Sequence, residues 1–239
     1  MGLYIFGRNA VLSKIESGTE IEQIFLQEGF RDQRIVNQIG DIPSKEVSIR
    51  ELEKLVGRVA HQGIVALVKT YEYTPLEKII ATTKEKVNPL LVVLDGIEDP
   101  HNMGAIIRTC DAIGVDGVIV PKHGGAPLTS TVYKVSTGAV EFVPIAQVTN
   151  LTRTLQDLKK LGYWVVGAEA SNAQDYREVD YKMPTVLVVG SEGKGISRLV
   201  LEQCDFKVKL PMVGHVTSLN VSVATAILLY QIYANRNKI

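Results

Sequence analysis

A carboxylate framed by glycines, Glu192 in Gly190-Ser-Glu-Gly-Lys-Gly195, sets the chemistry open to this sequence. The spacing is G-x-x-G-x-G, not the G-x-G-x-x-G of a dinucleotide site, and Lys194 precedes Gly195 where a P-loop has Ser or Thr. A phosphate cradle wants bare N–H groups and a cation, so a carboxylate at its centre repels the ligand. Glu192 suits a ligand with hydroxyl, amine or net positive character, and a sulfonium cofactor with its ribose and amino group fits that description. A plain structural turn is the competing reading. Asn102 and Arg108 lie in Leu94-Asp-Gly-Ile-Glu-Asp-Pro-His-Asn-Met-Gly-Ala-Ile-Ile-Arg108. Asn102 is expected to cap a helix. Arg108 either pairs with Asp111 three residues on or offers its guanidinium to an anionic group such as a nucleic-acid phosphate. Ser218 and Asn220 precede a long apolar helix. One of them is expected to cap it, and the pair can also orient a substrate hydroxyl. His61, His101, His123 and His215 are scattered with no cysteine partners at ligand spacing, so no metal site is expected. No Gly-x-Ser-x-Gly elbow points to a hydrolase.

These groups need a scaffold, and the sequence supplies an α/β one. Strands are expected at Leu90–Leu94, Gly117–Val120, Phe142–Ile145, Tyr163–Ala168, Thr185–Val189 and Phe206–Leu210, with helices at Met103–Ile113, Leu151–Leu161 and Val221–Ala234 between and after them. Apolar strands spaced by helices imply a parallel sheet covered on both faces, with the loops above at its carboxyl edge. Before a break near Thr70–Pro89 the pattern differs. Glu22–Leu26 and Gly63–Val68 read as strands, and Gly7–Glu16 and Ser48–Leu55 as helices, the second opened by a Ser48/Glu51 capping box. Thr82–Asn88 reads as a charged connector. The 239 residues carry zero formal net charge and 46% hydrophobic residues, so charge balance alone gives no hint of nucleic acid. The apolar runs are too short for a bilayer, and the start lacks a secretory pattern. Cys110 and Cys204 read as buried free thiols in a reducing cytoplasm.

Asp99-Pro-His-Asn-Met-Gly-Ala-Ile-Ile-Arg108, Gly190-Ser-Glu-Gly-Lys-Gly195 and Leu210-Pro-Met-x-Gly-x-x-x-Ser-Leu-Asn-Val-Ser222 resemble, in that order, the three motifs of the SpoU/TrmH RNA ribose 2′-O-methyltransferases of the SPOUT superfamily. His61-Gln-Gly-Ile64, Val120-Pro-Lys122 and Val148-Thr-Asn-Leu-Thr-Arg-Thr154 resemble its 23S rRNA guanosine branch, which modifies the peptidyl-transferase P-loop. The resemblance implies residues 1–73 as a small α/β RNA-binding domain, 74–88 as a linker and 89–239 as a trefoil-knotted parallel-sheet domain. It implies S-adenosyl-methionine as cofactor, held by Gly190, Leu210 and Leu219 largely through backbone. Asn102, Arg108, Glu192, Ser218 and Asn220 match the polar positions of the catalytic centre. The implied partners are 23S ribosomal RNA and a second copy through the knot domain, in the cytoplasm, with no membrane. Up to Tyr73 nine Lys and Arg stand against ten Asp and Glu, so this first domain is not basic. A tRNA or other rRNA methylase, or a non-catalytic ribosome-assembly protein on the same fold, is the alternative.

Overall fold

The computed structural model describes residues 2–237 and divides into two units. The first comprises Met1–Glu72 together with Pro127–Phe142. Its four strands, β1 (Gly2–Phe6), β2 (Ile21–Gln27), β3 (Ser44–Val47) and β4 (Ile64–Lys69), form a sheet of order β1-β4-β2-β3. Helices α1 (Arg8–Glu16), α2 (Gln33–Ile39) and α3 (Ile49–Val56) connect them. The capping box of α3 forms as its sequence dictates: Glu51 N–H donates to Ser48 Oγ (3.4 Å) and Ser48 N–H to Glu51 Oε2 (2.9 Å). Alternation along β4 buries Val65 against Phe6, Val47 and Leu52. Pro127–Phe142 adds α6 (Ser130–Val135) and a 3-10 turn, Ala139–Glu141. The turn is held by Lys14 Nζ of α1 on Glu141 Oε1 (3.0 Å), both side chains nearly excluded from water.

The second unit, Tyr73–Ala126 and Val143–Ile239, is a seven-stranded sheet. Its strands are β5 (Leu90–Asp95), β6 (Gly117–Pro121), β7 (Ile145–Val148), β8 (Trp164–Ala168), β9 (Gln174–Asp175), β10 (Thr185–Gly190) and β11 (Phe206–Lys209). The order is β7-β6-β5-β10-β8-β11-β9 with every neighbouring pair parallel. Helices α4 (Leu76–Thr83), α7 (Leu151–Lys160) and α8 (Arg198–Leu201) bury Ile79, Leu155, Leu158 and Val200 against Leu91, Val93, Ile119, Val165, Val186 and Val188. The alternate residues of the same strands, Val92, Leu94, Val118, Val120, Leu187 and Val189, are buried as well, so both sheet faces are covered. Helices α5 (Pro100–Ile113) and α9 (Val221–Asn237) pack on one another. From β5 the chain moves outward to β6 and β7, whereas from β10 it moves the other way to β11. The carboxyl ends of adjacent β5 and β10 are therefore a topological switch point, where open α/β sheets hold ligands.

Three expectations are corrected. The strand placed at Phe142–Ile145 begins at Ile145 instead, because Ala139–Glu141 coil into a 3-10 turn and leave Phe142 49% exposed. Thr82–Asn88 is not all connector, since α4 carries Thr83 into the core, its hydroxyl 2.7 Å from that of Tyr163. Asn102 does not cap α5. Asp99 does, its carboxylate accepting the His101 N–H at 2.9 Å with Pro100 at the first helical position.

Candidate active site

Released from capping, the Asn102 side chain turns outward from the third position of α5 and donates to Glu192 Oε1 at 3.2 Å. The same carboxylate oxygen accepts from Asn220 Nδ2 (2.5 Å) and from the Val221 N–H (3.2 Å). Asn220 Nδ2 also donates to Asn102 Oδ1 at 2.9 Å. Asn220 is the cap of α9, its Oδ1 accepting from Ser222 N–H (3.0 Å), Ser222 Oγ (2.6 Å) and Val223 N–H (3.4 Å). Residues 102, 192 and 220 thus form one hydrogen-bonded cluster drawn from the first turn of α5 and two loops. The positive end of the α9 dipole faces the carboxylate. Glu192 Oε2 has no protein donor among the described residues and is open to a ligand.

The backbone of the Glu192 loop is shaped by its glycines. Ser191 and Gly195 bridge across a tight turn, the Gly195 N–H on the Ser191 carbonyl at 2.8 Å. A Cβ on Gly190 would run into the backbone of Gly195 and Ile196, so no other residue fits at the end of β10. Asp95, at the end of neighbouring β5, accepts the Ser197 N–H at 2.7 Å and lashes the loop to the adjacent strand. Sequence reasoning missed Asp95, although its place as the last residue of an apolar strand was a usable signal.

Beside the cluster opens a cleft of about 370 Å³. Gly190, Leu210 and Leu219 all line it, together with Glu192 and Ser218. Val189, Val208 and Leu228 supply an apolar wall, and Glu169, one residue past β8, adds a second carboxylate that the sequence reading did not single out. Arg108 stands apart. It is exposed on α5, does not line the cleft, and makes no hydrogen bond or ion pair among the described residues, Asp111 included. Six residues beyond Asn102, it lies about 9 Å further along the helix and roughly 240° around it. Outside the cleft lining, burial pushes the Cys204 thiol up to about 12 and the Cys110 thiol higher still, so neither is a nucleophile at neutral pH. Asn102, Glu192 and Asn220 are therefore in direct contact, and Ser218 shares the cleft with Glu192.

Comparison with known proteins gives this arrangement its context. Residues 89–230 match the SpoU rRNA Methylase family, and residues 4–74 match the RNA 2′-O ribose methyltransferase substrate binding domain. A protein of Staphylococcus haemolyticus assigned to the TrmH family of tRNA/rRNA methyltransferases is 47% identical over 242 residues, covering 99% of this chain and 97% of its own. The crystal structure of an RNA 2′-O ribose methyltransferase superposes with a TM-score of 0.82 at 28% identity, over 100% of this chain and 90% of that one. An AdoMet-bound rRNA methyltransferase from Sinorhizobium meliloti does so with a TM-score of 0.81 at 26% identity, over 97% and 86%. The cleft fits S-adenosyl-methionine: an apolar wall for the adenine, exposed loop backbone for polar edges, and two carboxylates for a cation with hydroxyls. On its sequence, its fold and this site, the chain belongs to the SpoU/TrmH family and is an S-adenosyl-methionine-dependent RNA methyltransferase.

Proposed function

We propose that the protein methylates the ribose 2′-hydroxyl of a guanosine in 23S ribosomal RNA, in the peptidyl-transferase P-loop. The observation that carries the reading is the Asn102–Glu192–Asn220 cluster at the mouth of the Gly190–Leu210–Leu219 cleft. When bound there, the cofactor supplies a methyl group on a positively charged sulfur, a strong donor in its own right. The chain must then hold a ribose oxygen in line and help its proton leave. Ser218, exposed on the cleft wall, orients the hydroxyl, while Asn220, its amide fully used within the cluster, fixes the Glu192 carboxylate. Glu192, its Oε1 saturated, offers Oε2 to a ribose hydroxyl and keeps the two asparagines in register. Arg108 has the planar fork that suits a phosphate, and being exposed and unpaired it grips the backbone next to the target. A guanidinium has no free lone pair with which to act as base, so Arg108 contributes through the phosphate it holds, which anchors the ribose at the cleft. Arg108→Ala is expected to reduce methyl transfer on the order of a hundredfold, with cofactor affinity kept. Near-native turnover would remove the residue from the mechanism.

The substrate assignment is supported by the flanking segments that resemble the 23S branch and by the match of residues 4–74 to a substrate-binding domain. The working species in this proposal is a homodimer in the cytoplasm. Val223, Ile227, Tyr230 and Tyr233 are exposed at helical spacing along α9 and form an apolar stripe for a second copy. The reading also includes a threaded carboxyl-terminal segment. It is supported by Arg236, whose guanidinium donates to the carbonyls of Asn88 (2.8 Å), Tyr181 (2.9 Å) and Met183 (2.8 Å). The test is incubation with labelled S-adenosyl-methionine and ribosomal RNA from a methylase-deficient strain, with tRNA in parallel. One 2′-O-methylguanosine in the 23S P-loop is expected. Label confined to tRNA, or cofactor binding without transfer to any RNA, would refute the assignment.

A further inference from the structure

The first unit carries a cleft of about 590 Å³, lined by Arg8, Phe30, Arg31, Val59, His61 and Gln62 among others, that methyl transfer leaves unused. Gln62 sits in the left-handed region at φ 57 without being glycine. Such a conformation persists where its surroundings dictate it, and it concentrates at ligand sites. The surroundings here are specific. Gln62 Oε1 accepts from the Arg8 backbone N–H (2.9 Å) and from Lys134 Nζ (2.9 Å), and its carbonyl accepts from Arg8 Nε (3.4 Å). With both lone pairs of the amide oxygen in use, the amino group is fixed in direction, and it has no acceptor among the described residues. Next to it, buried His61 accepts the Gly63 N–H on Nδ1 at 3.1 Å, which stiffens the wall.

Arg8 is equally fixed. Its guanidinium lies over the Phe30 ring at 5.3 Å, and its Nη1 stands 3.5 Å from Asp32 Oδ2. The side chain is nevertheless 46% exposed, so a flat ligand can stack on it. A held planar cation, an aromatic ring and one aimed N–H donor are the parts that bind an unstacked base by its face and its edge. They are not a phosphate site: the unit is not basic, and Asp32 already faces the arginine.

We propose that this cleft takes a single unstacked base of the RNA substrate, with Arg8 stacked on its face and the Gln62 amino group donating to its edge. The proposal rests on RNA being the substrate. It explains how a domain with no excess of positive charge engages RNA, and it implies that binding here falls only weakly with salt.

The test uses the full-length protein and single-stranded hexaribonucleotides with a central 2-aminopurine, whose fluorescence is quenched on stacking. Wild-type protein should raise that fluorescence as the base leaves its neighbours for the cleft, with a small salt slope. Arg8→Ala and Arg8→Lys should each weaken binding roughly tenfold or more, since lysine keeps the charge and loses the plane. Gln62→Glu keeps the acceptor oxygen and removes the donor, and it should weaken binding by a similar factor. The first urea transition should be unchanged in all three and serves as the folding control for this unit, with calorimetric S-adenosyl-methionine binding kept as well. No fluorescence rise with wild-type protein, or wild-type affinity in Arg8→Lys, would overturn the base pocket. Hexamer binding lost in these variants, with methyl transfer to RNA absent even in wild type, would support the cleft and strike only the catalytic assignment.

Discussion

Three N–H groups converge on one oxygen of Glu192, and Asn220 supplies one of them while capping α9 with its other end. The two duties separate by substitution. Aspartate is as good a cap as asparagine, but in Asn220→Asp it would set a second carboxylate against Glu192 where the hydrogen bond now stands at 2.5 Å. Like charges that close cannot share a site without distortion. Asn220→Asp should therefore melt within about 1 kcal/mol of wild type and lose on the order of a hundredfold in methyl transfer. Equal losses in both, by thermal melting and labelled-cofactor assay, would mean the residue is only a cap. Part of this was legible: Glu192 sits in a loop whose composition argued against phosphate, and Asn220 precedes α9 as a cap should. Asn102 was picked out with the wrong local partner. Asp99 and Pro100 carry the capping signal, and no spacing rule reports that a side chain will cross to residue 192.

At the scale of elements, the loop after β10 depends on a glycine valued for the space it leaves. Gly190→Ala would push a methyl group into the Gly195 and Ile196 backbone, so the Ser191–Gly195 turn must open. The expected cost is about 1–3 kcal/mol, read as weakened S-adenosyl-methionine binding by calorimetry. Unchanged affinity would show that the turn does not shape the cleft. A second local device is the Asp175–Arg177 bracket beside β9, where the Arg177 guanidinium (2.6 Å) and backbone N–H (3.0 Å) hold the Asp175 carboxyl down at about 2. A carboxyl whose pKa falls on folding contributes stability above its unfolded value near 3.8, and loses it as pH drops through about 2. The melting difference between wild type and Asp175→Asn should thus be constant above about pH 5 and shrink steadily as pH falls through about 2. A gap that persists at the acid end would point to packing instead. The long apolar strands β5, β8 and β10 were readable because both faces are buried. Strand β1 was not, since its five residues sit at a sheet edge and draw their partners from β4, 59 to 67 positions away.

For the whole molecule, the sequence placed its break near residues 70–89, and Pro127–Phe142 nevertheless groups with Met1–Glu72. The tie is the Lys14–Glu141 pair, with Ser17 and Thr19 also donating to Glu141. Removing one partner of a buried pair strands the other charge, so Glu141→Ala should cost about 3–5 kcal/mol, seen as an earlier first transition in urea. Replacing both partners with apolar residues should recover most of it, and a cost for Glu141→Ala below about 1 kcal/mol would show the pair to be solvated. Such long-range pairings leave no periodicity, which is why 127–142 read as part of the regular alternation.

Arg236 gives the longest-range consequence. Its guanidinium fastens the far end of α9 under the starts of β5 and β10, while the near end of that helix, some 22 Å away, carries Val221 onto Glu192. The helix is a strut bolted at its foot. A lesion at that foot would surface as a defect in donor uptake at the opposite rim of the sheet, with every residue that touches the donor still in place.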